Sequence, residues 1–264
     1  MVLALVACGE GAPDSPEQPP IPRFEQVSAD PVEHGERLSH VLGCVGCHTP
    51  ELTGEDWTEP EMGVLWTANL TKSAAKYSHE ELATMITMGK RTDRALWDMP
   101  AFLFSGLHPE DVDALIAYLK SLEPVGEVHP DPIMGPQLQK EIDSGEWVDS
   151  AQDVLDKSDD GPPDLGDDFA FGRFVIRATC VECHGMDLRG EEAPMAGAPA
   201  RPDLRMVGSY DREAFAHFMA TGEAAGGREL VLMSAVARRR YARFTNAEED
   251  AVYNYLAELA RSDP

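Results

Sequence analysis

Two copies of one short motif are the residues with the clearest chemistry in this sequence. Each is a pair of cysteines three positions apart followed at once by a histidine, at Cys44–His48 and Cys180–His184. Two thiols spaced by one helical turn match the two vinyl groups at the edge of a haem, with which they form thioethers. The adjacent imidazole, when neutral, offers a lone pair to the iron. The motifs predict two covalently bound c-type haems, attached through Cys44, Cys47, Cys180 and Cys183, with His48 and His184 as proximal iron ligands.

Two other uses of paired cysteines fit the sequence less well. A structural zinc site usually places its second Cys pair ~15–20 residues after the first, and here the two pairs are much further apart. A thioredoxin-like redox pair requires a βαβ context, and no such alternation of strands and helices is predicted.

The surroundings of the two motifs form a divergent internal repeat. A glycine precedes each motif, at Gly35 and Gly172. The matched segments that follow are Glu51–Glu55 with Asp187–Glu191, Asn69-Leu70 with Asp203-Leu204, and Met88-Gly89 with Thr221-Gly222. The chain is therefore predicted to contain two copies of one small domain.

Each copy closes with a predicted amphipathic helix, whose apolar residues follow the i, i+3, i+4, i+7 pattern. They are Val112, Leu115, Ile116 and Leu119 in the first copy, and Val252, Tyr255, Leu256 and Leu259 in the second. Helix starts are indicated by His108-Pro109-Glu110-Asp111 and by the capping-box pattern Thr245-Asn246-Ala247-Glu248. No segment shows a run of alternating strand positions, so the predicted fold class is all-α.

Composition separates these domains from the segments that connect them. Residues 9–28 are rich in proline and lack helical or strand periodicity, which indicates an extended tether. Residues 124–167 combine prolines with many acids and indicate a linker, with a short helix between Gln137 and Asp156. The predicted domains are residues 29–123 and 168–264.

The second axial ligand decides what kind of haem protein this would be, because His/Met ligation closes the iron site and an open position permits ligand chemistry. Met99 is the first candidate, in Trp97-Asp98-Met99-Pro100 before the closing helix, where Pro100 would stiffen the loop. The repeat alignment selects Met233 in the second domain, although Ser234 stands where the first loop has proline. If Met233 were not the ligand, His217 would be the next candidate.

Other polar residues are expected to have ordinary roles. Surface or capping positions are predicted for the remaining histidines, which are His34, His40, His79, His108, His129 and His217. Arg238, Arg239 and Arg240 are predicted to form a solvated face, from which one of them could pair with a haem propionate.

The balance of charge limits the partners. The 264 residues contain 47 Asp and Glu against 22 Lys and Arg, a formal net charge of -25. This excess of negative charge argues against nucleic acid and against an anionic membrane surface as partners. A solubilising surface and a docking surface for a basic redox partner both remain as interpretations.

The N-terminus indicates where the protein works. The apolar run ends in Leu5-Val6-Ala7-Cys8, which resembles the lipobox of bacterial lipoproteins and implies a lipid on Cys8. The run has no preceding Lys or Arg and is short for an export signal. Residues 1–8 are interpreted as a signal remnant, and the predicted location is the periplasmic or cell-surface side of a bacterial membrane, with the lipid as the only membrane attachment.

The residues around both motifs resemble class I cytochrome c domains. The resemblance is carried by Gly35, the Cys44–His48 motif, Asn69–Thr71, Gly89–Arg91, Met99-Pro100, Pro109–Val112 and Tyr118-Leu119, and is weaker in the second copy. The two copies are especially similar to the domains of di-haem electron carriers and of cytochrome subunits of bacterial membrane-associated dehydrogenases. The resemblance implies two tandem helical cytochrome c domains with His/Met ligation.

The predicted function is a non-enzymatic carrier that passes single electrons between redox proteins. Two alternatives remain at this stage. One is a haem enzyme, such as a di-haem peroxidase or a thiosulfate-type oxidoreductase, with an open second iron. The other is a haem subunit docked to a separate dehydrogenase, because the sequence has no Rossmann-type glycine pattern of its own.

Overall fold

A computed structural model describes residues 21–193 and 200–262, and the predicted lipobox and residues 9–20 of the predicted tether lie outside them. The fold is mostly helical, which confirms the predicted all-α class. The first part contains α1 (Pro31–Val41), α2 (Cys44–Cys47), β1 (Gly63–Val64), α3 (Leu70–Lys76), α4 (His79–Met88), α5 (Ala101–Phe104) and α6 (Pro109–Ser121). Next come β2 (Ile133–Met134), α7 (Pro136–Ser144) and α8 (Ser150–Lys157). The last part contains α9 (Ala170–Thr179), α10 (Val181–His184), α11 (Arg212–Thr221), β3 (Glu223–Ala224), β4 (Arg228–Glu229), α12 (Leu232–Arg239) and α13 (Asn246–Ser262), with 3-10 turns at Asp167–Phe169, Leu204–Ser209 and Tyr241–Arg243.

The first domain is organised by the crossing of α1 and α6. Asp30 caps α1 and Pro31 occupies its first turn, while His108 caps α6 through its imidazole. Gly35 lies at the crossing, where a Cβ would be 1.9 Å from the carbonyl oxygen of Ala114. Only a residue without a side chain allows the two helices to approach this closely.

The second domain repeats this crossing with α9 and α13. A Cβ at Gly172 would lie 2.3 Å from the carbonyl oxygen of Ala251 and 2.9 Å from the Cβ of Tyr255. In the first domain the Cβ of Tyr118 lies at the same 2.9 Å from the corresponding position of Gly35. Tyr118 and Tyr255 are therefore equivalent, whereas matching the apolar residues by spacing alone pairs Leu115 with Tyr255. An amphipathic stripe looks nearly the same after a shift of one helical turn, so the glycine contact decides the register.

The segment between the two domains contains more regular structure than its composition indicated. β2 pairs antiparallel with β1 of the first domain, and α7 and α8 follow it. Ser150, at the start of α8, is buried, and its carbonyl oxygen would lie 2.4 Å from a Cβ at Gly89. Its hydroxyl accepts a hydrogen bond from the backbone N–H of Met99 at 3.2 Å. The segment thus supports the loop that carries the first predicted methionine ligand.

The two domains share one hydrophobic core. Phe24 is fully buried, and its ring centroid lies 5.2 Å from that of Phe174 in the second domain. The backbone N–H of Phe24 donates to Asp111 at 2.9 Å, and that of Glu25 donates to Glu248 at 3.0 Å. The last residues of the predicted tether therefore pack between the domains and contact both.

A buried ion pair also crosses this interface. Arg37 on α1 forms two hydrogen bonds with the fully buried Glu248 on α13, at 2.8 and 3.0 Å. His34, predicted to be at the surface or in a cap, is instead 1% exposed and lies 3.2 Å from Asp111. It faces inward because it is adjacent to Gly35 on the side of α1 that meets α6.

Candidate functional site

The first motif lies in a short, tightly turned segment after α1. Gly43 adopts a left-handed conformation with φ of 85°, which allows the chain to turn into α2. The thiols of Cys44 and Cys47 are free and one helical turn apart. His48 ends this turn, and its Nδ1–H donates to the carbonyl oxygen of Ala68 at 2.7 Å.

The second motif repeats this geometry on α10. Cys180 and Cys183 are also free thiols, and Nδ1–H of His184 donates to the carbonyl oxygen of Pro202 at 2.8 Å. In each domain a glycine N–H donates a hydrogen bond to the backbone carbonyl oxygen of the motif histidine. Gly54 donates to His48 at 2.9 Å, and Gly190 donates to His184 at 3.0 Å.

The two loops after the histidines share backbone details that the sequence repeat did not resolve. Leu52 and Leu188 are both buried and both adopt positive φ, at 57° and 60°. Their carbonyl oxygens accept equivalent hydrogen bonds, from Leu70 at 2.8 Å and from Leu204 at 2.9 Å. Left-handed non-glycine residues at matched positions show that both loops are held in one strained conformation.

The electrostatics of the two histidines suit metal ligation. Burial is the main cause that lowers the pKa of His48 and of His184, which favours the neutral imidazole. Because Nδ1 carries the proton donated to the carbonyl, Nε2 retains a lone pair for a metal. The chemistry of these residues therefore fits a haem iron with a histidine ligand.

Burial also affects the four thiols of the motifs, because it raises the pKa of each. Burial raises the pKa of Cys44 and of Cys47 to about 11, so both are protonated at neutral pH before any attachment. Within residues 21–193 and 200–262, no group of three or more His, Cys, Asp or Glu side chains could hold a metal ion.

Met99 lies in the loop before α5. Asp98 has a left-handed backbone with φ of 59°, and Pro100 caps α5. Met99 is partly buried against the main core, and its N–H is held by Ser150. Sequence reasoning missed Ser150, which lies 51 residues away from Met99.

Met233 lies in a different setting, inside the first turn of α12 rather than in a loop. The residue with positive φ here is Val231, with φ of 44°, which places Leu232 at the position equivalent to Met99. Leu232 is 53% exposed, whereas Met233 packs against the core. The second domain has one additional residue in this loop, and the inward-facing methionine is the one that the repeat alignment selected.

A serine supports this second loop as Ser150 supports the first. Ser234 is fully buried, its hydroxyl accepts from Leu230 N–H at 2.8 Å, and its carbonyl oxygen would lie 2.4 Å from a Cβ at Gly222. In the first domain the equivalent serine comes from α8, in the segment between the domains. His217, on α11, is exposed.

The three consecutive arginines at the C-terminal end of α12, Arg238, Arg239 and Arg240, do not form one solvated face. Arg238 pairs with Glu229 at 2.5 Å and Arg239 is exposed, as a solvated face requires. Arg240 instead points across the domain interface, where its Nε–H donates to the carbonyl oxygen of Val41 at 3.1 Å. The prediction was wrong for Arg240 because the partner element, α1, is remote in sequence.

Two helical domains that each place a pair of thiols beside an oriented histidine have the residues that covalent attachment of a haem requires. The sequence profile of the cytochrome c family matches residues 32–123 and 170–260, and the chain belongs to this family. The family implies covalently bound haem c and electron transfer. No curated protein sequence matches the chain significantly. Among the helices of residues 21–193 and 200–262, none combines the length and the apolar character needed to cross a membrane.

Proposed function

We propose that the chain is a di-haem electron carrier that passes single electrons between protein partners outside the cytoplasm. The observation that carries this proposal is the matched pair of histidines, each with Nδ1–H on a backbone carbonyl and Nε2 available. When bound, haem supplies the one-electron exchange between Fe(II) and Fe(III). The polypeptide supplies the ligands, their orientation and the burial.

The proposed ligand set follows from this arrangement. The cysteines of both motifs would form the thioethers, and His48 and His184 would bind the two irons. Met99 and Met233 would supply the second protein ligands, and two protein ligands for each iron suit electron transfer rather than substrate chemistry. The hydrogen bond from Met99 N–H to Ser150 restrains the loop that carries the first of these methionines.

The proposed partners are redox proteins with a basic docking surface. A run of exposed acids without any Lys or Arg follows His48, and its members are Glu51, Glu55, Asp56, Glu59 and Glu61. Such a loop beside the first haem site attracts a positively charged partner and accelerates its association at low ionic strength. We further propose a periplasmic or cell-surface location, with a lipid on Cys8 as the anchor.

Mass measurement and spectroscopy of the haem-loaded protein test this function. The chain is expressed with haem-maturation machinery, and covalent haems are counted by mass in wild type, Met99→Ala and Met233→Ala. We expect two haems in all three proteins and low-spin iron in the wild type, with each substitution removing one Met–iron absorbance. Met88→Ala and Met206→Ala are matched controls, because both side chains are substantially exposed, at 45% and 44%.

A second candidate function is a haem enzyme with an open or labile second iron. The position of Met233 within a helix, one residue beyond the equivalent of Met99, is the observation that favours it. High-spin iron at the second haem of the wild type would contradict the carrier proposal, and peroxide turnover would then identify a peroxidase. Co-purification with a dehydrogenase would instead indicate a haem subunit of a larger complex.

A further inference from the structure

Arg240 connects the second domain to the first cysteine motif. It caps the C-terminus of α12, and its Nε–H donates to Val41, the last residue of α1. Its guanidinium packs against Gly43, where a Cβ would be 2.8 Å from Cζ and 2.9 Å from Nη1. Gly43 immediately precedes Cys44. Arg240, a residue of the second domain, thus holds its positive charge against the start of the first cysteine motif.

The same arginine is also adjacent to the second attachment segment. Its guanidinium lies 5.7 Å from the ring centroid of its neighbour Tyr241. The hydroxyl of Tyr241 donates to the carbonyl oxygen of Thr179 at 2.9 Å and lies 3.9 Å from the sulfur of Cys180. One short series of contacts therefore runs from Cys180 through Tyr241 and Arg240 to Gly43 and Cys44.

Arg240 is therefore linked by contacts to the residues that begin both motifs. It packs directly against Gly43, which precedes Cys44, and it reaches Cys180 through the ring of Tyr241.

The guanidinium is only partly satisfied by the protein. Among the described residues Nη2 is buried without a hydrogen-bond partner, and no carboxylate forms an ion pair with Arg240. The acids close to this region are Glu182 and Asp98, and both side chains are exposed. Arg240 therefore retains an uncompensated positive charge in a region of limited solvent screening.

We propose that Arg240 is a shared positioning residue of the two haem sites, held between their attachment segments, and that its charge raises the reduction potential of both haems. The inference rests on the proposed function and deepens it. Reduction lowers the positive charge of a haem by one, so a nearby fixed cation favours the reduced form. Because one cation acts on both sites, its removal lowers both potentials together.

The size of the effect follows from Coulomb energies at intermediate dielectric. A unit charge near a partly buried site contributes on the order of 1 kcal/mol, which corresponds to about a threefold to tenfold change in each reduction equilibrium constant. A tenfold change equals about 59 mV for a one-electron couple. Shifts of this size are readily resolved by potentiometric titration.

The test is a spectropotentiometric titration of the haem-loaded protein with four variants. Arg240→Met and Arg240→Gln remove the charge, and Arg240→Lys retains it without the planar guanidinium. Arg239→Met removes the same charge from the neighbouring exposed position. In the two neutral variants we expect both potentials to fall, with each reduction equilibrium constant decreasing by about threefold to tenfold. Arg240→Lys should remain close to wild type, and Arg239→Met should be unchanged.

Three outcomes would overturn the inference. They are wild-type potentials in both neutral variants, a shift confined to one haem, and an equal fall in Arg240→Lys, which would indicate a purely structural role. Absorption spectra confirm that each variant retains two low-spin haems, and the glutamine variant replaces the methionine variant if the latter fails to fold. A wild type without two low-spin haems would instead refute the proposed function, so the two failures are distinguishable.

Discussion

Removal of the Arg37 side chain should lower the free energy of unfolding, because it would leave Glu248 as an unpaired charge inside the interface between the domains. The carboxylate of Glu248 is fully buried, and the side chain of Arg37 is 10% exposed. Their two hydrogen bonds, at 2.8 and 3.0 Å, form a bidentate pair between planar groups. Breaking such a pair by deleting one partner costs about 3–5 kcal/mol.

The cost of Arg37→Met is expected at the lower end of that range, because Glu248 keeps other hydrogen-bond donors. After the substitution Glu248 would still accept hydrogen bonds from the backbone N–H groups of Glu25 and Thr245, each at 3.0 Å. These two donors stabilise the carboxylate and limit the penalty. We therefore expect Arg37→Met to lower the free energy of unfolding by about 3 kcal/mol.

Equilibrium unfolding of the haem-loaded protein in urea, followed by circular dichroism and by haem absorbance, measures this loss. Arg261→Met is the matched control, because its pair with Glu258 is exposed and contributes at most about 1 kcal/mol. The double variant Arg37→Met with Glu248→Leu should lose less free energy of unfolding than the sum of the losses in the two single variants, because no unpaired charge is left buried. A cost below about 1 kcal/mol for Arg37→Met, or strict additivity, would refute the reasoning.

Three further perturbations give expected outcomes. Gly35→Ala forces a Cβ toward the carbonyl oxygen of Ala114 and should cost about 3 kcal/mol in urea unfolding, whereas Gly106→Ala, which has no atom within 4 Å, should cost far less. Phe24→Ala removes a fully buried ring between the domains and should cost about 3–5 kcal/mol; an unchanged unfolding midpoint would show that the segment is not docked. His40 has a pKa lowered mainly by burial, so the unfolded chain binds its proton first and stability is lost as pH falls below 6.5. His40→Gln should reduce the difference in melting temperature between pH 7.5 and pH 5.5, and an unchanged difference would contradict this assignment.

The local chemistry of the molecule was predictable from sequence because its determinants are close together along the chain. The spacing of the cysteine motifs, the glycines after each histidine and the caps of the closing helices involve residues within a few positions of one another. The internal repeat added independent support, since Gly54 and Gly190 recur at equivalent positions and form the same hydrogen bond. The all-α class and membership of the cytochrome c family were confirmed on this basis.

The register of the closing helices required the tertiary structure. Both helices were predicted from an apolar stripe, but that pattern nearly repeats after each turn and does not identify which turn crosses the preceding helix. The contacts of Gly35 with Tyr118 and of Gly172 with Tyr255 resolve the choice. A similar ambiguity affects Met233, whose loop differs from that of Met99 by one residue.

The assembly of the two domains was decided only by tertiary contacts. Arg240 and Val41 are separated by 199 positions, and Arg37 and Glu248 by 211. Contacts between residues so far apart produce no periodic pattern in the sequence. The sequence also does not distinguish a buried arginine from an exposed one. By itself the sequence determined that the chain has two Cys-x-x-Cys-His motifs and which residues flank them. The packing of Phe24, Arg37 and Arg240 decided how the two domains meet, because burial and long-range pairing arise only when the domains fold together.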